Sequence, residues 1–239
     1  MPFFWKKDYQ PISVDIHSHL IPGIDDGAQS LEQSLDLTKK LSSLGVKKII
    51  TTPHIHPRYP NTSRDIMLGL KSLQDYLARN NVEMEVEAAA EYYVDETFQK
   101  AVQNDEPVLS FGDRYVLIES PFQVKPFFFE STIFDLQSKG YKPVLAHPER
   151  YQFLEGSLEW LKELKAMNVL FQLTIGSIGG YYGSMPSKIG TQLLKKGMID
   201  FLGSDLHHVK HIEFFKKGLK DREIQKMIKK GVMKNHELL

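Results

Sequence analysis

The chain contains no cysteine, which excludes disulfides, thiolate nucleophiles and thiolate-bound zinc. It also has no net charge of either sign, with 30 Lys plus Arg against 30 Asp plus Glu. No global field therefore draws it to nucleic acid or to an anionic membrane. Long apolar runs are missing too, since none approaches the roughly 20 residues that cross a bilayer. Residues 1–11 lack the hydrophobic stretch of a secretory signal. No linker, repeat or shift in composition divides the remainder. These absences predict a cytoplasmic protein with a short extension (1–11) and one domain (12–239). At 239 residues and 41% hydrophobic, that domain has enough apolar material for a full core. The aromatics of the extension, Phe3, Phe4, Trp5 and Tyr9, are expected to pack back on the domain or against an interface.

What is present is a regular alternation. Short β-branched runs at 13–17, 48–52, 85–90, 115–119, 143–147, 170–174 and 199–204 read as strands. Between and after them, residues 30–44, 63–79, 95–103, 127–139, 157–167, 188–196 and 221–230 carry apolar residues at helical spacing. The first helix opens on Ser30-x-x-Gln33, a capping-box arrangement, and stops at Gly45. Regular β-α alternation implies parallel strands, because each crossover helix returns the chain to the same end. Seven such units predict an α/β fold, a distorted seven-stranded TIM-like barrel.

The strand ends carry the chemistry. The first strand ends in His17-Ser18-His19, with Asp25-Asp26 beyond, and two histidines at i, i+2 on a strand share a face. The second ends in His54, the third in Glu91, the fourth in Glu119, the fifth in His147, and the last in Asp205-Leu206-His207. Only the sixth, with Gln172 and Thr174, offers no acid or imidazole. A barrel gathers such ends at one mouth. The nine candidate ligands are His17, His19, Asp26, His54, Glu91, Glu119, His147, Asp205 and His207. They exceed the needs of one ion and suit two or three. Imidazole with carboxylate and no thiolate fits manganese, iron, zinc or cobalt. Paired metals about 3.5–4 Å apart clamp a phosphoryl group and generate hydroxide at neutral pH. Hydrolysis by metal-bound hydroxide is the expected reaction. Arg150, three residues past His147, is placed to hold phosphoryl oxygens bidentately. Arg150, Asp205 and His207 are thus the candidate catalytic residues, and Arg58 is a second phosphate candidate. Tyr92-Tyr93, Phe122 and Tyr181-Tyr182 follow strand ends and can line an aromatic cleft.

These segments resemble the PHP superfamily, and within it the bacterial protein-tyrosine phosphatases of the CpsB/YwqE type from capsule and exopolysaccharide systems. The resemblance runs from about residue 12 to the end. It rests on Asp15-Ile16-His17-Ser18-His19, Asp25-Asp26-Gly27, Ala90-Glu91-Tyr92-Tyr93, Ile118-Glu119, Ala146-His147-Pro148-Glu149-Arg150-Tyr151 and Ser204-Asp205-Leu206-His207. It implies a barrel with three ions, often manganese, and hydrolysis of phosphotyrosine on a cognate tyrosine autokinase. It also selects Asp26 over Asp25 as ligand and makes Arg150 a phosphate contact. One departure stands out: relatives carry an arginine a few residues after the last histidine ligand. Here that stretch reads His207-His208-Val209-Lys210-His211, leaving Lys210 or His211 as the substitute. With Tyr92, these complete the expected substrate contacts. Two alternatives share the scaffold: a small-molecule phosphoesterase such as a histidinol-phosphate phosphatase, and a non-catalytic binding protein. The retained ligand set argues against the second.

Overall fold

The computed structural model describes residues 9–239. In chain order its first half contains β1 (Val14–Asp15), α1 (Leu31–Leu44), β2 (Lys48–Thr51), β3 (His54–Ile55), α2 (Ser63–Arg79), β4 (Glu85–Ala88), β5 (Glu91–Tyr93) and α3 (Glu96–Gln103). The second half contains β6 (Tyr115–Glu119), α4 (Phe129–Ser138), β7 (Lys142–Ala146), α5 (Glu159–Ala166) and β8 (Leu170–Thr174). It ends with α6 (Ile175–Gly179), α7 (Ser184–Lys195), β9 (Phe201–Gly203), α8 (Lys210–Leu219) and α9 (Arg222–Lys230).

Local chemistry sets many of these boundaries. The Ser30 side chain accepts from the Gln33 N–H at the start of α1, and Gly45 closes it in a left-handed conformation at φ 104°. The return arm of the expected box lands one residue early, because Gln33 accepts from the N–H of Gln29. A full box instead starts α2, where Thr62 and Asp65 satisfy each other's backbone N–H groups. The apolar stripe of α2, Ile66, Leu70, Leu73 and Leu77, is buried. Each such side chain contributes about 1.5–3 kcal/mol by leaving water.

All strand pairing is parallel, but the strands form two sheets rather than one closed ring. One sheet has the order β1-β2-β4 and the other β3-β5-β6-β7-β8-β9. The strands expected at 48–52 and 85–90 appear as β2 and β4, and each is followed by a further short strand, β3 or β5, that belongs to the other sheet. Pro53, which has no N–H to give, sits at the break between β2 and β3. The second and third strands nevertheless stay in step across the gap: Ala89 N–H donates to the Thr51 carbonyl and Glu91 N–H to that of Pro53. Beyond β1, Ser18 forms an isolated parallel bridge with Leu206, past the end of β9.

The apolar interior has two parts. The larger lies between helices and sheets, and the smaller gathers Val14, Ile50, Leu117, Val144 and Phe201 from five strands. Along β6, Tyr115 and Leu117 belong to this smaller cluster, and the period of two carries on to Glu119. Tyr9 is buried, while Phe3, Phe4 and Trp5 lie outside the described residues. Among the described residues no helix is long and apolar enough to cross a membrane.

Candidate metal centre

Backbone bonds bring three strand ends to one place. Asp205 N–H donates to the His17 carbonyl (2.7 Å), His19 N–H to that of Leu206 (2.9 Å), and Thr52 N–H to that of Ser18 (2.7 Å). In β3, β5 and β6 the register pairs His54 with Glu91 and Tyr93 with Glu119. His147 and Asp205 both leave their strands with left-handed backbones, at φ 32° and 52°. Such conformations cost non-glycine residues about 1–3 kcal/mol and persist where surrounding structure fixes them. Both side chains point into the same cluster.

All nine predicted ligands meet there. Their ligand atoms fall into four overlapping groups: His19, Asp26, His54 and His207; His17, His19 and Asp205; His17, Glu91 and His147; His54, Glu91 and Glu119. Glu91 is the hub. Its Oε2 lies 3.2 Å from His17 Nε2, 3.6 Å from His19 Nε2 and 3.1 Å from His54 Nδ1, while its Oε1 is 3.0 Å from His147 Nε2. Asp205 Oδ1 lies 3.4 Å from both His17 Nε2 and His207 Nδ1. Asp26, the most exposed member, is 3.5 Å from His54 Nε2 and 3.4 Å from His207 Nε2.

These residues fit a cation. His17 Nε2, His19 Nε2, His54 Nδ1 and Glu91 Oε2 are buried yet make no hydrogen bond, although they lie close together. Lone pairs converging without hydrogen bonds are what ligands around shared ions present. The far sides of two rings are fixed by partners. His17 Nδ1–H donates to Gln172 Oε1 and His19 Nδ1–H to Asp25 Oδ2, each at 2.8 Å, which leaves both Nε2 atoms facing inward. Burial disfavours charge on His17, but Glu91 and Asp205 outweigh it and hold its pKa up at about 10. His207 is likewise held up at about 9, against burial, by Asp26 and Asp205. Burial and the neighbouring His207 push His19 down to about 4, so its ring is neutral. Asp205 stays far below the usual carboxylate range despite burial, because His17 and Arg150 face it. The centre thus has a strong demand for positive charge, which protons or metal ions can meet.

Arg150 forms one wall. Its Nη1 donates to Asp205 Oδ2 at 2.5 Å, and its guanidinium lies 4.0 Å from the Tyr182 ring centre and 4.8 Å from that of Phe122. Tyr182 also donates its hydroxyl to Asp205 Oδ2 (3.0 Å). The carboxylate is therefore shared, with Oδ1 toward the imidazoles and Oδ2 toward the arginine. A pocket of about 530 Å³ opens beside Arg150, Phe122 and Tyr182.

The remaining expected contacts differ in how they stand to this cluster. Tyr92 is buried, stacks on Phe98 and accepts the Leu109 N–H through its hydroxyl (2.7 Å). The alternation that turns Glu91 inward sends Tyr92 to the opposite face and returns Tyr93, whose ring lies 4.2 Å from His56. Arg58 is exposed, and its backbone N–H donates to His56 Nδ1. Lys210 is exposed at the start of α8. His211 is buried and donates Nδ1–H to the Asp205 carbonyl (2.9 Å). Burial lowers its pKa to about 4, so it is no cationic substitute at neutral pH. Asp25 and Gln172 have roles that spacing did not reveal, because both act only through tertiary contact.

Fold and site together define a class: a parallel α/β protein with a candidate multi-ion centre where its strand ends meet. The chain belongs to the CpsB/CapC family of capsular polysaccharide synthesis, whose model matches residues 13–234. It is 31% identical over 203 residues to the tyrosine-protein phosphatase YwqE of Bacillus subtilis, covering 84% of this chain and 80% of that protein. It is 29% identical over 205 residues to the tyrosine-protein phosphatase CpsB of Streptococcus pneumoniae, covering 82% and 80% respectively. A crystal structure from a study of YwqE and CpsB, described as unique metal-dependent tyrosine phosphatases, superposes with a TM-score of 0.81. Its sequence identity is 27%, and the match covers 93% of this chain and 94% of that one.

Proposed function

We propose that this chain is a metal-dependent protein-tyrosine phosphatase. The observation that carries the reading is the convergence of five imidazoles and four carboxylates beside a guanidinium. His17, His19, Asp26, His54, Glu91, Glu119, His147, Asp205 and His207 would hold two or three divalent ions, manganese first among them. When bound, such ions polarise phosphoryl oxygens and make water a nucleophile at neutral pH. Arg150 is the phosphate-binding residue: turned from Asp205, its planar donor fork matches two phosphoryl oxygens. Asp205 and Tyr182 hold that fork in readiness, and His17 and His19 are kept in the right tautomer by Gln172 and Asp25. A phenolate leaves without strong acid assistance, and the pocket beside Phe122 and Tyr182 has room for a tyrosyl ring.

Three finer readings accompany this one. The bonds from the end of β1 to the segments beyond both β2 and β9 support treating the two sheets as arcs of one distorted barrel. The family match from 13 to 234 supports one domain. The family's tie to capsular polysaccharide synthesis supports a tyrosine autokinase tail as the substrate. Comparing turnover of a phosphotyrosine peptide with that of phosphoserine peptide and histidinol phosphate tests the assignment. Preference for the phosphotyrosine peptide is expected. Turnover of histidinol phosphate alone would replace the assignment with a small-molecule phosphoesterase.

A further inference from the structure

The zero net charge hides a segregation. The last 31 residues hold nine Lys or Arg and only four Asp or Glu, so the rest of the chain is acidic by the same margin. Within this segment Arg222, Lys226, Lys229 and Lys230 fall at helical spacing along one side of α9. Together with Gln225 they line one shallow hollow of about 520 Å³ that contains no acidic residue. All four are exposed, and Glu223, 3.6 Å from Lys226, is the single carboxylate within ion-pair reach of any of them among the described residues. Val232, half exposed, follows directly.

The helix is anchored along its inner side and at the edge of the hollow. Ile224 is buried, and Gln225 donates to the carbonyls of Leu219 and Gln10 while accepting the Gln10 N–H. The cationic side is therefore presented on a fixed support. It lies away from the metal centre: Lys234, just beyond α9, bonds to the Asp200 carbonyl at the start of β9, and Asp205 is past the other end of that strand.

We propose that this face of α9 docks the protein on an anionic phospholipid surface. Lysine dominates the stripe, and its ammonium groups are point charges on flexible stems, suited to a mobile array of headgroups. The hollow is shallow and has no aromatic or apolar pocket for the anchor residue that a protein partner would insert. It offers no ring on which a nucleic-acid base could stack. Docking here leaves the mouth with Arg150 open to solution.

Co-sedimentation of the full chain with vesicles tests the proposal. Phosphatidylcholine vesicles are compared with vesicles of phosphatidylcholine mixed with phosphatidylglycerol. Binding is expected on the mixed vesicles only. It should fade as salt rises from about 0.1 to 1 M, which cuts the screening length from about 10 to 3 Å. Each cation near such a surface adds roughly fivefold in partitioning, so joint Lys226→Gln, Lys229→Gln and Lys230→Gln should weaken binding on the order of a hundredfold. Hydrolysis of p-nitrophenyl phosphate by that variant should be unchanged, which also reports that it folds. Absence of binding to mixed vesicles at low salt would overturn the proposal, as would equal binding to neutral vesicles or undiminished binding by the variant. Binding to polyglutamate but not to vesicles would make the partner an acidic protein and equally overturn it.

Discussion

Replacing Asp25 should weaken metal binding although Asp25 is not among the nine converging residues. Its carboxylate is fully buried and holds three donors: His19 Nδ1–H at 2.8 Å, the His54 N–H at 3.1 Å and the Gly27 N–H at 2.9 Å. Asp25→Asn removes the charge and lets an amide N–H face the imidazole, freeing the ring to turn or change tautomer. Loss of an orienting carboxylate behind a histidine ligand typically costs 10–100-fold in metal affinity, or about 1.4–2.8 kcal/mol. That agrees with about 1.5–3 kcal/mol for one hydrogen bond to a charged group. Asp25→Ala should also destabilise the chelator-stripped protein by about 2–3 kcal/mol in urea unfolding, because two backbone N–H groups lose their acceptor. Asp26→Ala strands no buried backbone N–H and should destabilise the stripped protein less than Asp25→Ala, chiefly below pH 9 where Asp26 supports protonated His207, while still weakening metal binding. Manganese titration by calorimetry, with urea melts of the stripped proteins, separates the two acids. Wild-type manganese affinity in Asp25→Asn would refute the orienting role.

Other perturbations follow from the same geometry. Tyr182→Phe loses the hydroxyl bond to Asp205 but keeps the ring under Arg150, and should lower kcat/KM about fivefold, for roughly 1 kcal/mol. Tyr182→Ala also loses the cation–π contact and should fall further; steady-state kinetics on a phosphotyrosine peptide reads both. A Cβ at Gly27 would lie 2.3 Å from the His19 carbonyl oxygen, so Gly27→Ala should cost about 1–3 kcal/mol and lower the Tm. The pH dependence has a defined sign. His17 and His207 have folded pKa values raised to about 10 and 9 from 6.5, so their contribution to apoprotein stability is full below pH 6.5 and lost as pH rises through 9 to 10. The Tm of stripped protein should therefore fall between pH 7 and 9.5, while metal-loaded protein, whose ligands are already deprotonated, holds its Tm.

The nine-residue cluster could be read in the sequence because each ligand directly ends, or closely follows, an apolar run, and parallel strands bring such ends together. Asp25 and Gln172 could not, since the rings they orient are distant partners in the fold or lie across a loop. Tyr92 was misplaced although strand alternation from Glu91 already sent it to the far face. The break at Pro53 was visible as a residue but not as a change of sheet, which depends on how neighbours pair. Helix α8 carries Ile212, Phe215 and Leu219 at helical spacing, yet it is absent from the helices expected from the sequence. Net charge was the least informative quantity, because it averaged the cationic α9 against acids elsewhere.

The central claim is that the converging imidazoles and carboxylates bind more than one ion and that turnover of phosphotyrosine depends on them. Chelator-stripped protein should be inactive on a phosphotyrosine peptide, and manganese should restore turnover as calorimetry and metal analysis register two or three ions per chain. Substantial turnover by stripped protein, with metal analysis showing almost no ion bound, would contradict the account.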